Sequence, residues 1–578
     1  MTARRASHAA LRTAVAAAAL ALLAACTLQS PAPAGERYDV VFDSARVVDG
    51  SGNPWFYGDV AIAGDRIARV TPAGLLARAP AERHVDARGL VLAPGFIDIQ
   101  AQSVGQLLTG DGRVVSMITQ GVTTMILGEG DTPAPTNAGV MADYANADSA
   151  TRALMATFGG PHGFGRWLDA MARHGGSVNV GSFLGAATVR AYAKGEAEGP
   201  ATPAELDTMR AVVRNAMRDG AFGVASALIY PPGSYASTGE LIAEAKAMAP
   251  YGGVYITHMR SEGDRLLEAT DEALRIGREG GVPVEIYHLK AAGVRNWPKA
   301  AQLVAKIDSA RAAGQDAGAD QYAYTAGAND VASCIPPWAH ADGKLFARLA
   351  DRAMRAKIAA DTRRDDPSWE NLCLASTPAG VEIVGFHVDS LKRFEGQRLS
   401  AIAAAMHEDW ADAAIDLTIA EHGHLGQILF LASDSNVAMQ IRQPWMKFGT
   451  DAEGYDPDSM QRMVHPRAYG NYPRILGRFV REQHVLTLED AIRKMTWAVA
   501  ARLSIRDRGL VHEGMYADLV LFDPRTIIDR ATYEQPNQLS VGVRGVWVNG
   551  VEVVRDGKAT GAKPGRVVRG PGYVPAGS

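Results

Sequence analysis

Cysteine is scarce: Cys26, Cys334 and Cys373 are the only three in 578 residues. They form no CxxC pair and no zinc-ribbon spacing, which argues against a thiolate metal knot and a disulfide-knit scaffold. Buried free thiols are the expected state of Cys334 and Cys373, with a bond between them as the alternative in an oxidising compartment. An excess of basic charge is also missing, since 59 Lys and Arg stand against 63 Asp and Glu. That balance gives no support to a nucleic-acid surface. No GxGxxG and no phosphate loop supports a nucleotide site. The apolar run at residues 11–25 is too short to span a membrane comfortably. What is present is enough chain for a large core and more than one domain.

The N-terminus reads as a targeting segment. Arg4 and Arg5 precede the Ala/Leu-rich run, which closes with LAAC at 23–26. This resembles a bacterial lipoprotein box, with residues 1–25 a signal peptide, Cys26 the lipid-bearing residue and 26–36 a linker. Thr27 follows the cysteine where an inner-membrane sorting signal has Asp, which favours the outer membrane. The expectation is a periplasmic body that touches the membrane only through its lipid anchor.

Two β-rich segments lie at opposite ends of the mature chain. Residues 38–48 (YDVVFDSARVV) and 59–70 alternate and are β-branched. The pattern returns at 518–522 (DLVLF) and 543–548 (VRGVWV), where Asn549-Gly550 joins a further valine-rich run as a hairpin turn. Residues 37–92 and 506–560 are expected to share one small β-sandwich. Between them, residues 93–505 alternate short apolar runs with Ala-rich helical patterns. That repetition predicts parallel strands, and the length suits a (β/α)8 barrel. Residues 342–421 read as an insertion over the barrel, and 561–578 as a tail on the surface.

Chemistry concentrates at two echoing stretches, YITHMRSEG at 255–263 and VEIYHLKAAG at 284–293. Each is an apolar run ending in a histidine. Barrel strands deliver functional side chains from their C-terminal ends, and imidazole is the commonest side-chain metal ligand. His258 and His288 are therefore the first metal candidates. Asp451 closes another strand-like run (MKFGT) and is placed to carry the proton of an activated water.

Further stretches accompany these: APGFID at 93–98, QGVTT at 120–124, YPPGSY at 230–235, THMR at 257–260, HLK at 288–290, DQYAYTAG at 320–327, FGTD at 448–451, HPRAYG at 465–470 and DRGL at 507–510. In this order the chain resembles the amidohydrolase superfamily, and within it the N-acyl-D-amino-acid deacylase (D-aminoacylase) family. The resemblance implies a distorted (β/α)8 barrel with a β-sandwich built from both termini. It also exposes two departures. Where the family has His-x-His after its first strand, this chain has Gln100 and Gln102. A neutral amide oxygen is a poor zinc ligand, so the more exposed of the two metal positions is expected to stand empty. Where many relatives have a ligating cysteine, this chain reads LGEGD at 127–131, and Glu129 is the expected ligand with Asp131 the fallback.

The implied centre is one Zn²⁺ held by Glu129, His258 and His288, with Asp451 as acid and base. Metal-activated water would release the acyl group of an N-acyl-D-amino acid, or split a related D-residue dipeptide. Lys290 matches the family's carboxylate-binding lysine. Arg260 has the same spacing from His258 and is either a second clamp or the partner of Glu262 or Asp264. Tyr322 or Tyr324 would stabilise the oxyanion, and His465 would contact substrate or order its loop. The other readings are a cyclic-amide or other C–N hydrolase on the same barrel, and a metal-free binding protein.

Overall fold

The computed structural model describes residues 37–145 and 147–575. The expected signal peptide at 1–25, the expected lipid-bearing Cys26 and the expected linker lie outside the described residues. Both chain ends build one nine-stranded sheet. Its members are β1 (Tyr38–Val47), β2 (Phe56–Ala63), β3 (Arg66–Pro72), β4 (Ala81–Asp86), β5 (Val91–Pro94), β19 (Leu519–Phe522), β20 (Val543–Val548), β21 (Val551–Arg555) and β22 (Lys558–Ala559). β5 pairs antiparallel with β19 and joins the two segments. The expected sandwich is a single sheet curled on itself. Phe42 of β1 meets Trp547 of β20 edge-on at 4.7 Å across its buried inner face.

The barrel strands run in chain order: β6 (Phe96–Asp98), β7 (Val122–Leu127), β8 (Asn179–Ser182) continuing as β9 (Leu184–Gly185), β10 (Gly223–Ala227), β11 (Val254–His258), β12 (Val284–Ile286), β13 (Ala317–Gln321) and β18 (Met446–Phe448). All pair in parallel with their neighbours. Every residue of these short strands is buried, as in a sheet covered on both faces, including the polar ones of NVGS in β8 and AGADQ in β13. Closure between first and last strands comes from side chains and loops. Thr450 N–H donates to Asp98 Oδ1 (2.9 Å), and Asp451 N–H donates to Gln100 O (2.7 Å).

The helices between strands carry clear end signals. Pro203–Asp219 begins at Thr202, whose hydroxyl and Glu205 form a reciprocal capping box, and it stops at Gly220 in the left-handed region. The tail lies along β8, with Val180 N–H donating to Arg566 O and Val568 N–H to Val180 O.

Between β13 and β18 the chain leaves the barrel. β14 (Ala326–Asp330), β15 (Val381–Val384), β16 (Gln397–Arg398) and β17 (Gly426–Phe430) form a separate antiparallel sheet with helices packed on it. Cys334 and Cys373 are bonded to each other there, with Cα atoms 5.5 Å apart. That corrects the expectation of free thiols. The two positions are 39 residues apart in sequence, and only the folding of the insertion brings them together.

Candidate metal centre

The C-terminal ends of the barrel strands open into one cavity of about 1080 Å³. Glu129 sits in the turn after β7, between Gly128 and Gly130, both in the positive-φ region. A Cβ on Gly128 would lie 2.4 Å from Phe183 O, so only glycine lets this turn pass the junction of β8 and β9. His258 ends β11, and His288 follows β12 at φ 34°. Asp451 stands after β18 at φ 50°. Both are non-glycine residues in the left-handed region, a conformation that functional sites often hold.

Glu129, His258 and His288 bring ligand atoms within 4.8 Å of one another, the full set expected from sequence. Glu129 Oε1 lies 3.4 Å from His258 Nδ1 and 3.2 Å from His288 Nε2. Two donors bound to one tetrahedral zinc are about 3.4 Å apart, so these separations fit a shared ion. Two imidazoles and a carboxylate are also a suitable donor set for zinc. Burial alone would raise the Glu129 carboxyl, but the two histidines outweigh it and hold it well below the usual range.

A residue not singled out from sequence stands behind the histidines. Glu262 Oε1 lies 3.0 Å from His288 Nδ1, and its Oε2 lies 3.8 Å from His258 Nε2. Lys290 Nζ donates to Glu262 Oε1 (2.7 Å) and sits 2.7 Å from His288 Nδ1. Burial opposes the charge on Glu262, yet Lys290 and the two histidines keep its carboxyl strongly depressed.

Arg260 is a correction. Its guanidinium pairs with Glu272 (2.9 Å) and donates to the carbonyls of Ser234 (3.0 Å) and Ala236 (2.8 Å). It therefore braces the 230–236 loop from outside the cavity that holds the candidate ligands, and neither Glu262 nor Asp264 is its partner. Tyr324 is a second correction. Its hydroxyl donates to Asp529 Oδ2 (3.1 Å), away from the cavity. Tyr322 lines the cavity instead, with Arg467 4.6 Å and Lys290 5.8 Å from its ring centre.

Arg467 is the other residue the sequence reading passed over, although it lies inside the HPRAYG motif. It is buried in the cavity wall, with Nη1 2.8 Å from Asp451 Oδ2. His465 orders this loop: Nε2 bonds Ala326 O (3.0 Å), and Nδ1 accepts the Arg467 N–H (3.0 Å). Burial pushes the Asp451 carboxyl up, with Arg467 opposing and Glu129 adding. Asp131 is not among the clustered ligands. It faces the cavity two residues on, and burial, then Asp143 and Glu129, push its carboxyl up to about 6. Glu196 shares that wall, raised to about 7 by burial and by Asp143.

A profile described as the amidohydrolase family matches residues 83–554, and the chain belongs to that family. Within it the chain falls in the N-acyl-D-amino-acid deacylase branch. It is 32% identical to the D-aminoacylase of Alcaligenes xylosoxydans xylosoxydans over 92% of this chain and 97% of that one. A solved D-aminoacylase, described by its binuclear metal centre with "one-metal activation and second-metal attenuation", superposes with a TM-score of 0.75 at 30% identity, covering 92% of this chain and 100% of that one. The N-acyl-D-glutamate deacylase of Bordetella bronchiseptica, solved with zinc and a phosphonate mimic of the tetrahedral intermediate, gives 0.74 at 28% identity with the same coverage. The chain is accordingly a metal-dependent hydrolase of carbon–nitrogen bonds, and the binding-protein alternative falls.

Proposed function

We propose that the protein removes the acyl group from N-acyl-D-amino acids, with one zinc held by Glu129, His258 and His288. The observation that carries this reading is the lining of a single cavity. It sets the three ligand side chains beside Asp451 and beside the cations Lys290 and Arg467. Zinc bound there would make its water acidic and polarise the amide carbonyl. Asp451 takes the proton and returns it to the leaving amine, and its burial tunes it toward that exchange. Lys290, Arg467 and the Tyr322 hydroxyl meet the substrate carboxylate, with Arg467 pivoting from Asp451. Glu262 holds His288 from behind, the usual support of a metal-bound imidazole.

Zinc itself is supported by the zinc in the N-acyl-D-glutamate deacylase structure and by the donor set here. A second reading is hydrolysis of D-residue dipeptides. Asp131, Asp143 and Glu196 line the same cavity and would favour a free ammonium group on the acyl side. A periplasmic, lipid-anchored location rests on the LAAC sequence ending at Cys26, and the Cys334–Cys373 bond suits an oxidising compartment.

The test is hydrolysis of N-acetyl-D- against N-acetyl-L-amino acids by protein whose metal has been measured. Zinc-dependent turnover of the D series supports the reading. Turnover of neither series, with zinc bound, rejects it. Aminoacyl-D-amino acids in the same assay decide the dipeptide reading.

A further inference from the structure

We infer that the side-chain amides of Gln100 and Gln102 take the place of a second cation beside Glu129, restricting the centre to one metal and linking its carboxylate to Asp451. The inference rests on Glu129, His258 and His288 being the metal ligands, and it adds what happens on the opposite side of Glu129. While Oε1 faces the two histidines, Oε2 accepts from both amides: Gln100 Nε2 at 2.6 Å and Gln102 Nε2 at 2.7 Å. Chemistry fixes the orientation of these amides. An amide oxygen at such a distance from a carboxylate oxygen would be two acceptors in contact, so the nitrogen must face Glu129.

Gln102 Nε2 also lies 3.3 Å from Asp451 Oδ1. One amide thus touches an oxygen of Glu129 and an oxygen of Asp451 together, as a second cation between two carboxylates would. The other Asp451 oxygen faces Arg467 at 2.8 Å. Buried carboxylates need compensation at both oxygens. Here neutral N–H donors provide it on the side away from the histidines.

The backbone keeps this arrangement in place. Gln100 is buried, its N–H donates to Asp98 Oδ1 (3.1 Å), and its carbonyl accepts the Asp451 N–H (2.7 Å). A second ion would have to turn both amides and break two charge-assisted hydrogen bonds. The D-aminoacylase relative is described as activated by one metal and attenuated by a second. This chain is built for the first behaviour without the second.

The experiment is metal counting on full-length protein equilibrated with excess zinc, repeated with cobalt and read by its absorption and spin coupling. Wild type is expected to hold one equivalent of uncoupled ion, and excess zinc leaves turnover unchanged. Q100H/Q102H, which offers imidazoles in place of amides, is expected to take up a second equivalent and show coupled cobalt. Gln102→Leu keeps one equivalent but binds it about tenfold or more weakly, because Glu129 loses a partner. Two equivalents in wild type, or unchanged zinc affinity in Gln102→Leu, would overturn the inference. The wild-type count decides even if the double variant fails to fold. One equivalent without deacylase activity would refute the proposed deacylation and leave this inference standing; two equivalents with activity would overturn this inference and the single zinc while leaving the deacylation itself standing.

Discussion

The ends of β11 and β12 carry the same pattern, a histidine followed two residues later by a cation, and they use it in opposite ways. After β12, Lys290 reaches into the cavity to Glu262 and His288. After β11, Arg260 turns outward to Glu272 and two loop carbonyls. The difference lies in the backbone. β11 runs in strand geometry through His258 and bends at Arg260, whereas β12 ends at Ile286 and His288 takes a left-handed turn. Same-face reasoning at two-residue spacing holds only along a continuous strand. Neither segment continues as one, so the spacing did not determine which cation enters the cavity.

Where the two ends should be equivalent, variants should behave alike. His258→Ala and His288→Ala are each expected to lose the metal and lower kcat/KM on the order of 10³-fold, read by metal content beside steady-state kinetics. Unequal metal loss would break the symmetry of the pair. Lys290→Ala separates the ends: kcat/KM should fall roughly 10- to 100-fold, as expected for a lost charged hydrogen bond, while zinc remains bound.

Glu262→Gln probes the carboxylate that serves both ends, with zinc affinity expected to drop about 10- to 100-fold in chelator competition. It also has a pH signature in metal-free protein. The folded carboxyl of Glu262 is depressed, so its stabilising effect is present above the ordinary glutamate pKa of about 4.3 and is lost as pH falls toward the depressed value. The difference in Tm between wild type and Glu262→Gln should therefore shrink at acid pH; a gap that widens there would contradict the pairing with Lys290.

The smallest effect belongs to Arg260→Ala. Catalysis should stay within about threefold, and stability should fall by about 1–2 kcal/mol in denaturant melts as the 230–236 loop loses its brace. If this variant damages turnover as much as Lys290→Ala, the contrast between the two ends is wrong.

Much of the site was legible because it depends on residue type at strand ends. His258, His288, Glu129, Asp451 and Lys290 all lie where a parallel barrel presents its side chains. Glu262 and Arg467 were within quoted motifs, but no periodicity marks a carboxylate that supports a histidine or an arginine that pairs with the base. Tyr322 and Tyr324 are two residues apart, yet β13 ends at Gln321, so alternation no longer applied. The bond between Cys334 and Cys373 required knowing how the insertion folds back on itself.

By itself the sequence determined the alternation of strands and helices in the barrel, the joining of both termini in one β domain, and which three side chains cluster at the candidate metal site. These follow from local patterning and from side chains whose chemistry admits few roles. Tertiary structure alone decided which partner each charged group keeps. Arg260 went to Glu272, Lys290 to Glu262, Arg467 to Asp451, and the amides of Gln100 and Gln102 to Glu129. The physical reason is that a buried charge must be matched by whichever group the folded chain brings within about 3 Å, and sequence distance does not encode that proximity.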